Sequence, residues 1–109
     1  MIKKTIAKEL GPEIFEQVLS IFLENANRDF TLLNLYIESK DYSNSKSMTH
    51  KLLGSCEAIG VKKLPKILRK MDEDLIKRYV NRNDLKEVNE IFDKLVDFIR
   101  DEYQIELAQ

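Results

Sequence analysis

Apolar residues recur at steps of three and four along nearly the whole chain, which is the period of an amphipathic α-helix. The longest stripe lies in residues 12–39, and turn-forming segments separate it from three further stripes. No stretch alternates in the way a strand does. The predicted core positions of the four stripes are, in order, Phe15, Leu19, Phe22, Ala26, Phe30, Leu33 and Ile37; Tyr42, Ser45, Thr49, Leu52, Cys56 and Ile59; Val61, Leu64, Leu68, Met71, Leu75 and Tyr79; and Leu85, Val88, Phe92, Leu95, Ile99 and Tyr103.

Several residues predict where these helices begin and end. The second helix spans about residues 42–59, because Gly60 is well suited to end it in a left-handed conformation. Pro65 falls near the start of the third helix, where a missing N–H does least harm. Asp84 with Glu87 matches a capping box that would start the fourth.

A short helix over residues 2–10 precedes the four long ones and is expected to cover one end. Long helices joined by short connections pack antiparallel. The sequence therefore predicts an all-α fold, an antiparallel up-down four-helix bundle with a short extra N-terminal helix. At 109 residues the chain, 1–109, is expected to form a single domain.

Composition narrows the function classes. Lys and Arg number 18 against 19 Asp and Glu, so the basic excess typical of nucleic-acid binders is missing. No apolar run approaches the roughly 20 residues of a membrane span, and the N-terminus lacks the apolar segment of a signal peptide. Cys56 is the only cysteine, which excludes an internal disulfide and suits a reducing cytoplasm. We therefore expect a cytoplasmic protein that binds neither nucleic acid nor membrane.

The only histidine, His50, falls on the solvent side of the second helix, well over 100° from its apolar stripe. Gly54 lies one turn later on the same side. Glycine in a helix interior lowers helix stability by roughly 1 kcal/mol relative to alanine, so Gly54 is expected to have a function there. Removing a side chain beside the imidazole lets another molecule approach it closely.

Other interpretations of His50 are open on spacing alone. An exposed histidine is ordinarily a solvated polar residue. His50 and Glu57 do not make a metal-ligand set, and no second cluster of His or Cys exists. Cys56 lies on the core face, too far around the helix to form a catalytic dyad with His50.

The segment "HKLLGSCEAIG" resembles the phosphoacceptor segment of histidine-containing phosphotransfer (HPt) domains, the carriers of multistep phosphorelays in two-component signalling. The family pattern is His-x-Leu-Lys-Gly-Ser, then small and apolar residues, then Gly. His50, Leu52, Gly54, Ser55 and Gly60 match it. The helices before and after are also similar to those of the family, so the resemblance covers about residues 12–103.

The resemblance implies a phosphocarrier and not a kinase. His50 would accept a phosphoryl group from a receiver-domain phosphoaspartate and pass it to another receiver. An exposed imidazole offers a ring lone pair at cytoplasmic pH. The chain has no phosphate-binding loop, so the acidic pocket and its Mg²⁺ are expected on the partner, which would be a response regulator or a hybrid sensor kinase. No cofactor is expected on this chain. The chain is expected to be a monomer.

One position departs from the pattern, because Leu53 stands where the family usually has a lysine that supports the phosphoryl oxygens. Lys46 and Lys51 are alternative sources of positive charge, while Glu57 on the same face works against an anion. Small and apolar side chains near the imidazole are expected to form the docking surface. The residues predicted to support the phosphoryl group on His50 or to dock the partner are, as a set, Lys46, Ser47, Lys51, Leu53, Gly54 and Glu57.

Two alternatives stay open. A degenerate HPt domain would bind receivers without accepting phosphate, and Leu53 favours that version. A regulatory helical bundle outside phosphorelay would leave His50 incidental. The opening Met and the short first helix lead us to expect a free-standing protein rather than a domain of a hybrid kinase.

Overall fold

The computed structural model describes residues 1–107, which form five α-helices. The only β interaction in this range is an isolated antiparallel bridge between Ile2 and Val61. The all-α class predicted from the periodicity is therefore confirmed. The helices are α1 (Thr5–Leu10), α2 (Pro12–Glu38), α3 (Tyr42–Ile59), α4 (Leu64–Ile76) and α5 (Arg82–Tyr103).

The predicted apolar stripes form the core, with few exceptions. Tyr42 and Tyr103 are half-buried, and all other predicted positions except Tyr79 are buried. Tyr79 is 55% exposed, so its assignment to the core was wrong. The reason is that α4 ends at Ile76 and the chain turns through Arg78, whose φ is 56°, before the stripe reaches Tyr79.

Contacts link α2 with α3, α3 with α4, α4 with α5 and α5 with α2. Helices α2 and α5 run in opposite directions. Phe15 near the start of α2 packs on Tyr103 at the end of α5, with ring centroids 5.6 Å apart. At the other end, Arg82 Nη1 lies 2.9 Å from Glu38 Oε1. Helix α3 is thus held between α2 and α4, and only its outer face is left to solvent.

Both ends of α3 are capped by the residues that flank it. Asp41 begins the helix, and its carboxylate accepts a hydrogen bond from the backbone N–H of Asn44 at 3.1 Å. Gly60 ends it in a left-handed conformation with φ 83°, as predicted. The N–H of Gly60 donates to the carbonyl of Cys56, as does the N–H of Val61, at 3.1 and 2.9 Å.

The predicted start of α5 was wrong. Asn81, not Asp84, caps the helix, and its side chain accepts from the N–H groups of Asn83 at 2.9 Å and Asp84 at 3.3 Å. Asp84 therefore lies inside the first turn, where its carboxylate is 3.1 Å from Lys70 Nζ. A carboxylate in the first turn interacts favourably with the helix dipole. Acidic residues are therefore common both at the cap and just after it, which is why Asp84 resembles a capping residue.

The first helix begins later than predicted, at Thr5 instead of residue 2. Ile2 is buried, because the first residues pair with the loop between α3 and α4 rather than coil. The N–H of Lys3 donates to the carbonyl of Gly60, and the N–H of Lys62 donates to the carbonyl of Met1, both at 2.8 Å. This pairing brings the lysines of the N-terminus next to those of the loop.

Candidate functional site

His50 lies in the middle of α3 and faces solvent, with 76% of its side chain exposed. Ser47, Gly54 and Glu57 are exposed on the same side, as the sequence predicted. Apart from the chain neighbours of Gly54 and the backbone of its own helix, no atom of residues 1–107 lies within 4 Å of the place where a Cβ on Gly54 would stand, so the surface beside the imidazole is open. Another molecule can therefore reach the ring from this side.

On the α4 side, one carboxylate contacts both His50 and Lys46. Asp72 Oδ1 is 3.1 Å from Lys46 Nζ, and its Oδ2 is 3.8 Å from His50 Nδ1. The second distance is too long for a hydrogen bond, so the carboxylate acts on the ring through its charge. A negative charge beside Nδ1 favours the tautomer with the proton there, which leaves the lone pair on Nε2.

Glu57 also forms an ion pair across the interface between α3 and α4. Its Oε2 lies 3.0 Å from Arg69 Nη2, with about half of each side chain exposed. The repulsion that Glu57 was predicted to exert on an anion is therefore offset locally. Asp72 and Arg69 lie three residues apart on α4, so both pairs come from one row of that helix.

On the α2 side, Lys51 pairs with a buried carboxylate. Its Nζ is 3.1 Å from Asp29 Oδ2, and the Asp29 side chain is only 3% exposed. Among the described residues, Asp29 Oδ1 has no hydrogen-bond partner, although Arg28 Nε approaches it at 3.5 Å. A buried carboxylate needs a nearby cation. Lys51 is thus committed to Asp29 rather than to a group on His50.

An apolar groove of about 210 Å³ runs between α2 and α3 on the same side as Lys51. Small side chains from α3 form one wall, and Ile21, 61% exposed, stands at the other. The groove and the side chain of Ile21 therefore offer apolar surface that a partner can contact. The groove is lined by Val18, Ile21, Phe22, Asn25, Ala26, Ser55, Ala58 and Ile59.

Leu53 does not join this surface, because it is 8% exposed and belongs to the core cluster. It lies in the helix row of Lys46, His50 and Glu57, all three of which contact α4. The helix on that side covers the position. A leucine there fills the boundary between α3 and α4, whereas a lysine would have to reach past it to solvent.

Sequence reasoning missed Asp72, Arg69 and Asp29, which hold the three charged neighbours of His50. The charges of these three residues did not single them out, because about a third of the residues in the chain are charged. Their pairing depends on how α3 is aligned along α2 and α4, and a single sequence does not show that alignment.

A comparison of the chain with protein-family models, with curated proteins and with solved structures finds no match. The likeness to HPt domains therefore rests on the residues quoted above. None of the helices within residues 1–107 combines the length and apolar character needed to cross a bilayer. The same residues contain no group of three or more His, Cys, Asp or Glu side chains placed to hold a metal ion.

Proposed function

We propose that this chain is a cytoplasmic, monomeric phosphocarrier of the HPt type, in which His50 accepts a phosphoryl group from a receiver-domain phosphoaspartate and passes it to another receiver. The single observation that carries the proposal is the placement of His50. Its ring is 76% exposed, with Nδ1 3.8 Å from the carboxylate of Asp72. The only histidine of the chain thus presents Nε2 to an approaching partner.

The chemistry follows from that geometry. The lone pair of Nε2 attacks the phosphorus of the acyl phosphate, an N–P bond forms, and the P–O bond to the aspartate breaks. The electron pair of that bond leaves with the aspartate carboxylate. The ring, still protonated on Nδ1, then carries positive charge, which the carboxylate of Asp72 stabilises. Transfer to a second receiver reverses these steps.

Positioning and charge neutralisation supply most of phosphoryl-transfer catalysis, and this chain provides only part of both. The Mg²⁺ and the acidic pocket belong to the receiver. Lys46 keeps Asp72 from acting as an unpaired negative charge where the phosphoryl group arrives. The chain is therefore a carrier that needs its partner, and it has no kinase activity of its own.

The proposed fold is the up-down four-helix bundle of α2 to α5. The ion pairs support this topology, because those between α3 and α4 run in opposite chain order: Lys46, early in α3, pairs with Asp72, whereas Glu57, late in α3, pairs with the earlier Arg69. Lys51 pairs with Asp29 across α2 and α3, Arg69 with Glu57 across α3 and α4, and Lys70 with Asp84 across α4 and α5. Those partners fit antiparallel neighbours.

The receiver is proposed to dock over Gly54 and the apolar groove between α2 and α3. The open space above Gly54 admits a backbone or side chain close to the imidazole. Ser55 and Ala58 continue this strip of small residues toward the exposed side chain of Ile21. Burial of such apolar surface favours association.

A second candidate is a binding module of the same fold that engages receivers without carrying phosphate. One observation favours it: both lysines beside His50 are already paired, Lys46 with Asp72 and Lys51 with Asp29. Neither is then free to hold phosphoryl oxygens. This version predicts receiver binding without any label on the chain.

Incubation with radiolabelled phospho-receivers decides between the two. We expect acid-labile, base-stable label on the wild-type chain and none on His50→Gln, which keeps its fold because the site is exposed. Circular dichroism of the variant is the control for folding. Receiver binding with no label would favour the second candidate, and undiminished label on His50→Gln would end the phosphocarrier interpretation.

A further inference from the structure

A cluster of positive side chains surrounds the loop between α3 and α4, and we name it the basic patch: Lys3, Lys62, Lys63, Lys66 and Arg69. These five cations line one open depression of about 420 Å³, together with a single carboxylate, that of Glu57. The chain as a whole carries a net charge of −1. The patch is therefore a local excess of positive charge on a nearly neutral protein.

Four of the five cations are available to a partner. Arg69 pairs with Glu57, but Lys3, Lys62, Lys63 and Lys66 form no ion pair with any carboxylate in residues 1–107. The pairing of residues 1–3 with the loop brings Lys3 next to the lysines of the loop, so an arriving anionic surface meets several unpaired cations at once.

The basic patch continues the face that carries His50. Glu57 lies seven residues after His50 on α3, about two helical turns or 10 Å along the axis. Arg69 joins Glu57 to the patch at 3.0 Å. A protein seated over the imidazole can therefore reach the patch, since a standard interface buries about 800 Å² on each partner.

We propose that the basic patch binds an acidic surface beside the phosphorylation pocket of the receiver, and so sets the direction in which the receiver lies along α3. The inference rests on the proposed function. An acidic protein fits the patch better than the two other polyanions. The patch has no aromatic side chain on which nucleic-acid bases could stack, and no exposed leucine, isoleucine or phenylalanine to enter a lipid surface.

The test is the rate of phosphoryl transfer from a purified phospho-receiver to the wild-type chain, Lys66→Glu and Lys86→Glu. Lys86 is the control, because it is an exposed lysine on α5 outside the patch, and its ion pair with Glu90 is long, at 3.9 Å. At about 25 mM salt we expect Lys66→Glu to be about three- to tenfold slower than the wild type, and Lys86→Glu to be unchanged. At about 250 mM salt the difference should shrink to less than about twofold.

Phosphoramidate, a small phosphodonor that does not dock, provides a second readout. Lys66→Glu should take phosphate from it at the wild-type rate, which shows that His50 and the fold are intact. Equal slowing in Lys66→Glu and Lys86→Glu, or slowing that salt does not relieve, overturns the docking inference alone. Label that persists in His50→Gln overturns the proposed function, and the inference with it.

The other polyanions are also outcomes of the test. Binding of a short DNA duplex or of phosphatidylserine vesicles by the wild type, lost in Lys66→Glu while that variant transfers at the wild-type rate, would assign the basic patch to that partner. That result contradicts the proposal.

Discussion

His50 and Cys56 lie six residues apart on α3, and they face opposite environments. The imidazole is 76% exposed, whereas Cys56 is 0% exposed. Burial raises the pKa of the Cys56 thiol from 9.0 to about 12, and the negative charge of Glu57 adds to the effect. Because the thiolate is the reactive form, Cys56 is inert at neutral pH. Position around the helix, more than the chemistry of the side chain, decides which residue meets a partner.

The outer face of α3 itself has two unlike flanks. Toward α4, Lys46 and Glu57 are held in ion pairs with Asp72 and Arg69. Toward α2, the surface is an apolar groove with small residues on its α3 wall. The charged flank sets the electrostatics at His50, and the apolar flank offers area for contact. His50 stands between them, where a docked receiver is proposed to meet both.

The largest expected effect is the protection of Cys56. A thiol-specific disulfide reagent at pH 8 should react about 10³-fold more slowly with the native chain than with the chain unfolded in guanidinium, because the buried thiol is almost never ionised. The unfolded chain is the internal control. Similar rates in the two states would show that the inner face of α3 opens freely.

The same pKa predicts a pH dependence of stability. Folding raises the pKa of the Cys56 thiol. The stability that the protonated thiol contributes is therefore fully present below pH 9.0 and is lost as the pH rises toward about 12. The free energy of unfolding should fall by about 1.4 kcal/mol per pH unit more steeply in the wild type than in Cys56→Ala. Urea titrations of both chains above pH 9 measure the difference, and parallel slopes would contradict it.

The next effect concerns Leu53, at the boundary between the outer and inner faces. Leu53→Lys should reduce the free energy of unfolding by about 1–3 kcal/mol. The reason is that the leucine side chain, only 8% exposed, is lost from the core. Leu53→Met conserves volume and should cost less than about 1.5 kcal/mol. If urea unfolding finds Leu53→Lys as stable as the wild type, the position is open to solvent and a lysine there is available to phosphate.

A smaller effect is expected at Gly54, where the open surface is proposed to admit the receiver. Gly54→Leu should slow transfer from a phospho-receiver about tenfold by obstruction, while it stabilises the helix by up to about 1 kcal/mol. Gly54→Ala is the control, since a Cβ meets nothing within 4 Å and should leave transfer nearly unchanged. A normal transfer rate in Gly54→Leu would remove any steric role for the glycine.

The smallest effect is expected at Lys46. Lys46→Ala leaves the carboxylate of Asp72 unpaired beside a phosphoryl group that carries close to two negative charges. We expect a shorter phosphohistidine lifetime or slower phosphorylation at low salt, by about 0.2–1 kcal/mol, or up to about fivefold. The double variant Lys46→Ala/Asp72→Asn should recover only part of the loss, because it removes the unpaired carboxylate together with the negative charge that stabilises the phosphorylated ring. Equal kinetics in all three chains would place the supporting charge wholly on the receiver.

Helical periodicity predicted what depends on one helix at a time. The span of α3, the exposure of His50 and the left-handed Gly60 all follow from local spacing and are confirmed. Features that depend on two helices did not follow. The pairing of Asp72 with Lys46 needs the alignment of α4 along α3. Leu53 is buried because α2 and α4 pack on two sides of α3, so the buried face of α3 is wider than its apolar stripe.

The start of α5 failed for a different reason. Asn81 and Asp84 are both residues that favour helix N-termini, and the sequence offers no way to rank them. Asp84 instead pairs with Lys70 of α4, a partner far away in sequence. The local pattern was correct in type and wrong in position by three residues.

His50 is proposed to carry phosphate on Nε2, because Nδ1 is the ring nitrogen that lies beside Asp72. The most direct measurement is ¹⁵N–³¹P correlated NMR of the chain after transfer from a phospho-receiver, with histidine labelled in both ring nitrogens. We expect a single phosphorus signal coupled to Nε2 of His50, and no signal in His50→Gln. Phosphorus coupled to Nδ1, or phosphate found on any residue other than His50, would contradict it.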